Sequence, residues 1–177
     1  TTFICGREEV YQYLKEFRAD IGLVFNPPPD PEIRTLMDVE QRLCAFVSPD
    51  HPLTDRDKVR LSDCVAYPLA LPDRTLGGRA LLDEFLARRS LRLEAAPESN
   101  SFEMMRNFAV KSGGVCFQIQ IGMPPSHLPG GMRALPLADR GLSRGRLVLG
   151  MEHSRALPVA TARFVEHLKN ELADAIS

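Results

Sequence analysis

The chain has 177 residues, 44% hydrophobic and 25% charged, with 22 Lys and Arg against 23 Asp and Glu. That balance excludes a module reading nucleic acid through a basic face, and no apolar run approaches the roughly 20 residues that span a bilayer. The start, Thr1 to Gly6, has neither the basic nor the long apolar region of a secretory signal, opens without Met, and reads as a piece of a longer protein.

Phe3 to Cys5 is a short apolar run stopped at Gly6, which predicts a strand. Glu8 to Phe17 carries Val10, Leu14 and Phe17 on one helical stripe. Ile21 to Phe25 is nearly continuous in apolar residues and is stopped by Asn26 and three prolines, the pattern of a strand covered on both faces. Strand, helix and buried strand make a βαβ unit with a right-handed crossover. Arg42 to Val47 predicts the next strand, ended by the turn Ser48 to Pro52, and Val59 to Cys64 a short helix or turn. Tyr67 to Pro72 is extended and bracketed by prolines, which fix φ and bias the residue before them.

Arg79 to Arg88 presents Leu81, Leu82, Phe85 and Leu86 as one helical face, and Leu91 to Ala95 alternates as a strand. Ser99 to Glu103 opens a helix bearing Phe102, Met105, Ala109 and Val110, with Asn100 and Glu103 spaced as a capping box and Gly113 and Gly114 as its terminator. Val115 to Ile119 is a strand, followed by a Gly, Pro, Ser and His loop from Gly122 to Gly131. Met132 to Leu137 is a second extended crossing, Arg146 to Met151 a strand, and Pro158 to Ala175 a helix with Ala160, Phe164, Leu168, Leu172 and Ile176 in a stripe. The crossings near residues 70 and 136 divide the chain into lobe I, 1–70 with 139–177, and lobe II, 71–138.

The four cysteines, Cys5, Cys44, Cys64 and Cys116, form no Cys-x-x-Cys pair, and three sit in apolar company. They read as buried, reduced small hydrophobes, which points to the cytoplasm; a redox-sensing pair is the alternative. His51, His127, His153 and His167 share no metal-ligand spacing. Ser126 and His127 lack a nucleophile-elbow context, and there is no phosphate loop or dinucleotide fingerprint. These residues supply chemistry for holding a ligand and none for transforming one, so neither enzyme activity nor a cofactor is expected.

In chain order, Asp20 to Phe25, the turn Ser48 to Leu53, the stretch Leu61 to Leu71, the corner Phe102 to Phe117, and the closing strand and helix form a set. They resemble the "DIGL/DLAI" strand, "HPLA" turn, "L-x-D-L…P-L-I" crossover and "VAAGLGIALLP" corner of the regulatory domain of LysR-type transcriptional regulators. The ordered matches cover nearly the whole chain. The resemblance implies two Rossmann-like α/β lobes joined by two extended crossover strands, a type 2 periplasmic-binding-protein-like fold that binds a small effector. It also implies a homodimer or homotetramer, with side-by-side antiparallel dimers formed through the helices at Glu8 to Phe17 and Arg79 to Arg88. DNA would be contacted only through a winged helix-turn-helix that this sequence does not contain, and no membrane is involved. Phe3 to Cys5 aligns with the family's second strand, so the first βα unit of lobe I is missing from the sequence. Gln118 and Gln120 depart from the family's Leu-Pro ending.

In open α/β sheets ligands lie beyond the carboxyl ends of the strands, and with two lobes the crevice lies between them and closes about the hinge. The lobe I strand ends offer Arg7, Phe25 and Asn26; lobe II offers Thr75, Ser99, Asn100, Ser101, Phe102, Gln118 and Gln120. The helix start at Ser99 to Ser101 suits an anion, because unpaired backbone N–H groups and the helix dipole converge there. Asn100 either caps its own helix or turns its amide to the ligand. Gln118 and Gln120 share a strand face that is either cleft or solvent; Arg7 either pairs with a carboxylate or is solvated; Phe25 is core or pocket wall. The effector expected is a small anionic metabolite. The competing reading is an extracytoplasmic solute-binding protein or a binding-protein-like enzyme domain, which the residues encoded upstream would distinguish.

Overall fold

A computed structural model describes residues 1–89, 91–94, 97–122, 131–142 and 144–174. The expected loop centre with Ser126 and His127, and the positions Ala95 and Ile176, lie outside the described residues. The chain divides into two compact units, Thr1–Glu40 with Arg146–Ser177, and Gln41–Gly145. The sequence placed those divisions at 70 and 138, on its two proline-flanked crossings. Both crossings are extended, as expected, and form strands of the second unit's sheet at Leu69–Pro72 and Arg133–Pro136. Their prolines stop each strand without taking it out of the sheet.

In the first unit, α1 (Arg7–Lys15) precedes β1 (Gly22–Phe25), and β2 (Ile33–Gln41) is the longest strand of the chain. The expected strand at Phe3 to Cys5 does not form: residues 1–6 have no regular structure, and Phe3 and Ile4 are exposed. The predicted βαβ unit is therefore absent among the described residues. Helix α1 also stops two residues short of Phe17, whose φ of 56° is left-handed and turns its ring outward. Strand β2 was not anticipated, because its sequence mixes charged and apolar residues without clean alternation.

These strands join β8 (Gly145–Glu152) in a sheet of order β1-β8-β2, with β1 antiparallel to β8 from Gly22 opposite Gly150 to Phe25 opposite Leu147. Leu14 is fully buried where α1 meets β1, and a Cβ at Gly22 would lie 2.5 Å from Val10 Cγ1. Glycine there permits the close helix–strand approach. In the closing helix α5 (Val159–Asp174) half-buried Thr161 and buried Val165 take the inward positions predicted for Ala160 and Phe164, one residue on, while Leu168 and Leu172 are half-buried on the predicted stripe. One residue is about 100° of helix rotation, so Ala160 and Phe164 face water instead.

The second unit is built on β3 (Leu43–Val47), α2 (Leu61–Cys64), β4 (Leu69–Pro72), α3 (Gly77–Ala87), β5 (Glu98–Ser99), α4 (Phe102–Ser112), β6 (Val115–Ile119) and β7 (Arg133–Pro136). The sheet order is β5-β4-β6-β3-β7; β5, β4 and β6 are parallel, and β3 runs antiparallel to both β6 and β7. Leu91 to Glu94, expected as a strand, has no regular structure. Successive residues of β3 point to opposite faces. Cys44 and Phe46 pack with Met105 and Ala109 of α4, Ala70, Cys116 and Met132, whereas a Cβ at Gly78 of α3 would meet Leu43. The two helices cover opposite faces, which explains why β3, β4 and most of β6 are buried throughout. Cys44, Cys64 and Cys116 are buried free thiols, and burial pushes them up to about 11, 12 and 12.

Candidate functional site

Strands β4, β5 and β6 present their carboxyl ends at one edge of the second unit's sheet. From β4 the chain goes through α3 to β5 on one side, then through α4 to β6 on the other. Connections that depart in opposite directions leave a crevice at the strand ends. Pro72 and Ser99 stand side by side there as the last residues of β4 and β5.

The edge is ordered by local hydrogen bonds. Asp73 N donates to Ser99 O at 3.0 Å, and the Asp73 carboxylate accepts from Thr75 N and Thr75 Oγ1 at 2.8 and 2.6 Å. This Asx turn leads into α3. Ser101 N donates to Ser99 Oγ at 3.0 Å, and Ser101 Oγ accepts from Met104 N at 3.3 Å. Ser101 is therefore the N-cap of α4, and the Asn100 capping box is corrected by one residue: Asn100 is an exposed bend residue. A serine cap serves as well as asparagine, and the hydroxyl of Ser99 already holds the amide that precedes the helix. Gln118 is buried on β6, its Nε2 donating to Phe102 O at 3.4 Å. Gln120 lies beyond β6 in a 3-10 turn and is exposed, so the pair does not alternate along one strand.

The structure thus brings Thr75, Ser99, Asn100, Ser101, Phe102 and Gln118 to one region of the second unit. Arg7, Phe25 and Asn26 belong to the first. Arg7 is the first residue of α1, Phe25 ends β1, and Asn26 follows it with φ 51°, its N–H donating to Arg146 O at 2.7 Å. Asparagine is among the residues that tolerate this left-handed conformation.

Sequence reasoning missed Arg79. Its side chain is only 8% exposed and makes three contacts: Nε to Asp83 Oδ1 at 2.8 Å, Nη1 to Pro72 O at 3.0 Å, and Nη1 to Glu98 Oε2 at 3.0 Å. The Arg79 guanidinium holds the Glu98 carboxyl below the usual carboxylate range. The four-residue spacing of Arg79 and Asp83 was visible in the sequence; the partner on β5 was not. Among the described residues no cluster of His, Cys, Asp and Glu could hold a metal, and no helix is long and apolar enough to cross a membrane.

Parallel strand ends, a polar edge and a capped helix start define a ligand-holding α/β module, and the comparisons name its family. The model of the LysR substrate binding domain matches residues 4–173, and the chain belongs to that family. It is similar to the HTH-type transcriptional regulator BbuR of Bordetella bronchiseptica, 28% identical over 69% of this chain and 38% of that protein. Similarity also extends to the HTH-type transcriptional regulator YeiE of Escherichia coli K12, 32% identical over 60% of this chain and 36% of that one. The matched stretches therefore span well under half the length of these two relatives. Among solved structures, the effector binding domain of QuiR in complex with shikimate superposes with a TM-score of 0.69 at 18% identity, covering 95% of this chain and 77% of that one. The fold is thus the type 2 periplasmic-binding-protein-like one.

Proposed function

We propose that this chain is the sensor part of a cytoplasmic, DNA-binding transcriptional regulator. In this reading it binds a small carboxylate-bearing metabolite without transforming it, and works as a homodimer or homotetramer. The observation that carries the site is the convergence of Ser99, Ser101 and the start of α4 at the carboxyl edge of β4, β5 and β6. The first N–H groups of an α-helix have no partner within it and point outward with the positive end of its dipole. The Ser99 and Ser101 hydroxyls flank that position, Thr75 stands at the neighbouring turn, and the amide of Gln118 fixes Phe102 from beneath.

Membership in the LysR substrate-binding family supports the regulator reading over a solute-binding protein or enzyme domain. Shikimate, bound by QuiR, is itself a carboxylate and makes a rational first probe. Effector control requires that the ligand bind one arrangement of the regulator better than another. The test is isothermal titration of this chain with shikimate and a panel of small hydroxy- and aromatic carboxylates, each beside its uncharged amide. Saturable binding of an acid and loss of its amide support the reading. No binding by any carboxylate, or equal binding of acid and amide, overturns the anionic site.

A further inference from the structure

The segment that would meet the ligand is short of support of its own. Strand β5 has two residues, Glu98 and Ser99, and among the described residues pairs only with β4, at the sheet edge. A two-residue edge strand contributes little ladder bonding, and such segments open locally at low free energy. Yet Ser99 must stay in place for its hydroxyl to hold Ser101 N, and its carbonyl to hold Asp73 N.

Arg79 supplies the missing restraint. Its guanidinium, almost fully buried, reaches Pro72 O at the end of β4 and Glu98 Oε2 in β5 through one nitrogen, and is held by Asp83 of its own helix through another. Arginine can do this because its donors lie in a fixed planar fork; lysine offers a single flexible point. One side chain thereby ties α3, β4 and β5 together next to the start of α4. We propose that Arg79 is a positioning residue for the effector site, fixing Ser99 and Ser101 through its bridge to Glu98 and the Pro72 carbonyl. This rests on the reading that the ligand is held at that edge.

Amide hydrogen exchange of the ligand-free chain tests the positioning directly, without reference to any ligand. Glu98→Gln removes the charge at a half-exposed position and leaves the fold able to form; it is expected to speed exchange at Ser101 and Asp73 by about tenfold, the scale of one charge-assisted hydrogen bond. Val115 N, bonded to Pro68 O away from this edge, is expected to be unaffected. Asp83→Asn breaks only the contact within α3 and is expected to leave Ser101 exchange unchanged. Arg79→Lys is expected to open the edge and not to rescue it. Unchanged Ser101 exchange in Glu98→Gln, or equal opening by Asp83→Asn, overturns the proposal. Titration with shikimate then separates the two readings: failure of the wild type to bind any carboxylate sinks the site, whereas unchanged affinity in an edge-opened Glu98→Gln variant sinks only the link between Arg79 and binding.

Discussion

The substitution Ser101→Asp separates two jobs that the Ser101 position performs. As the N-cap of α4, its oxygen accepts from Met104 N at 3.3 Å. Aspartate caps about as well as serine, and a negative charge there is favourable to the helix dipole, so stability is expected to stay within roughly 0.5 kcal/mol of wild type. A ligand carboxylate on the outward N–H groups of the first turn would sit about 5 Å from the new one. At that distance two unit charges repel by about 0.8 kcal/mol in water and about 3 kcal/mol at an effective dielectric of 20. Ser101 is exposed, so the effect belongs toward the lower end, about a fourfold to tenfold loss of affinity, shrinking as salt shortens the screening length. Ser101→Asn is the companion variant: it keeps a cap and adds no charge, so the difference between the two isolates electrostatics. Titration calorimetry at low and high salt, beside thermal melts, reads both quantities. Equal affinities of the Asp and Asn variants for a carboxylate that the wild type binds would refute an anion at the start of α4.

Three further expectations concern the second unit. His51 Nδ1 accepts from Leu53 N at 3.1 Å, and its Nε2 is buried. Burial lowers its pKa, with the Gly113 backbone opposing. Because the unfolded chain binds that proton more readily, His51's contribution is complete above the unfolded value of about 6.5 and falls as pH drops from there to the lower folded value. Denaturant melts between pH 7.5 and 5 should show this slope, and His51→Asn, which retains an acceptor for Leu53 N, should flatten it. Gly114→Ala would place a Cβ 2.3 Å from Pro68 O, against backbone that cannot yield, and should cost about 3 kcal/mol in urea unfolding, the upper end for overpacking. Gly113→Ala, at φ 62° with open space, should cost only about 1 kcal/mol. In timed thiol labelling of the native chain Cys5, half-buried, should react first, and Cys44, Cys64 and Cys116 only on unfolding; fast labelling of a second thiol would contradict the buried core.

The amino-acid sequence by itself determined most of the elements and the family. Periodicity located α3, α4 and the buried strands β3 and β6, because apolar spacing is a local record of burial. The ordered motifs along the chain pointed to the LysR regulatory domain, and the match over residues 4–173 bears that out. Tertiary structure decided what depends on partners distant in sequence. Phe3 to Cys5 has a strand's composition but no strand, since strands exist only by pairing. Proline-flanked Tyr67 to Pro72 reads locally as extended and no more; that β4 lies between β5 and β6 is decided by its partners. Asn100 and Ser101 are both good caps; the backbone at Ser101, extended at φ −91° and ψ 107°, chose between them. Arg79 is buried only because Glu98 and the Pro72 carbonyl receive it. A charge can leave water where its partners converge, and that convergence across residues 72 to 98 exists only in the fold.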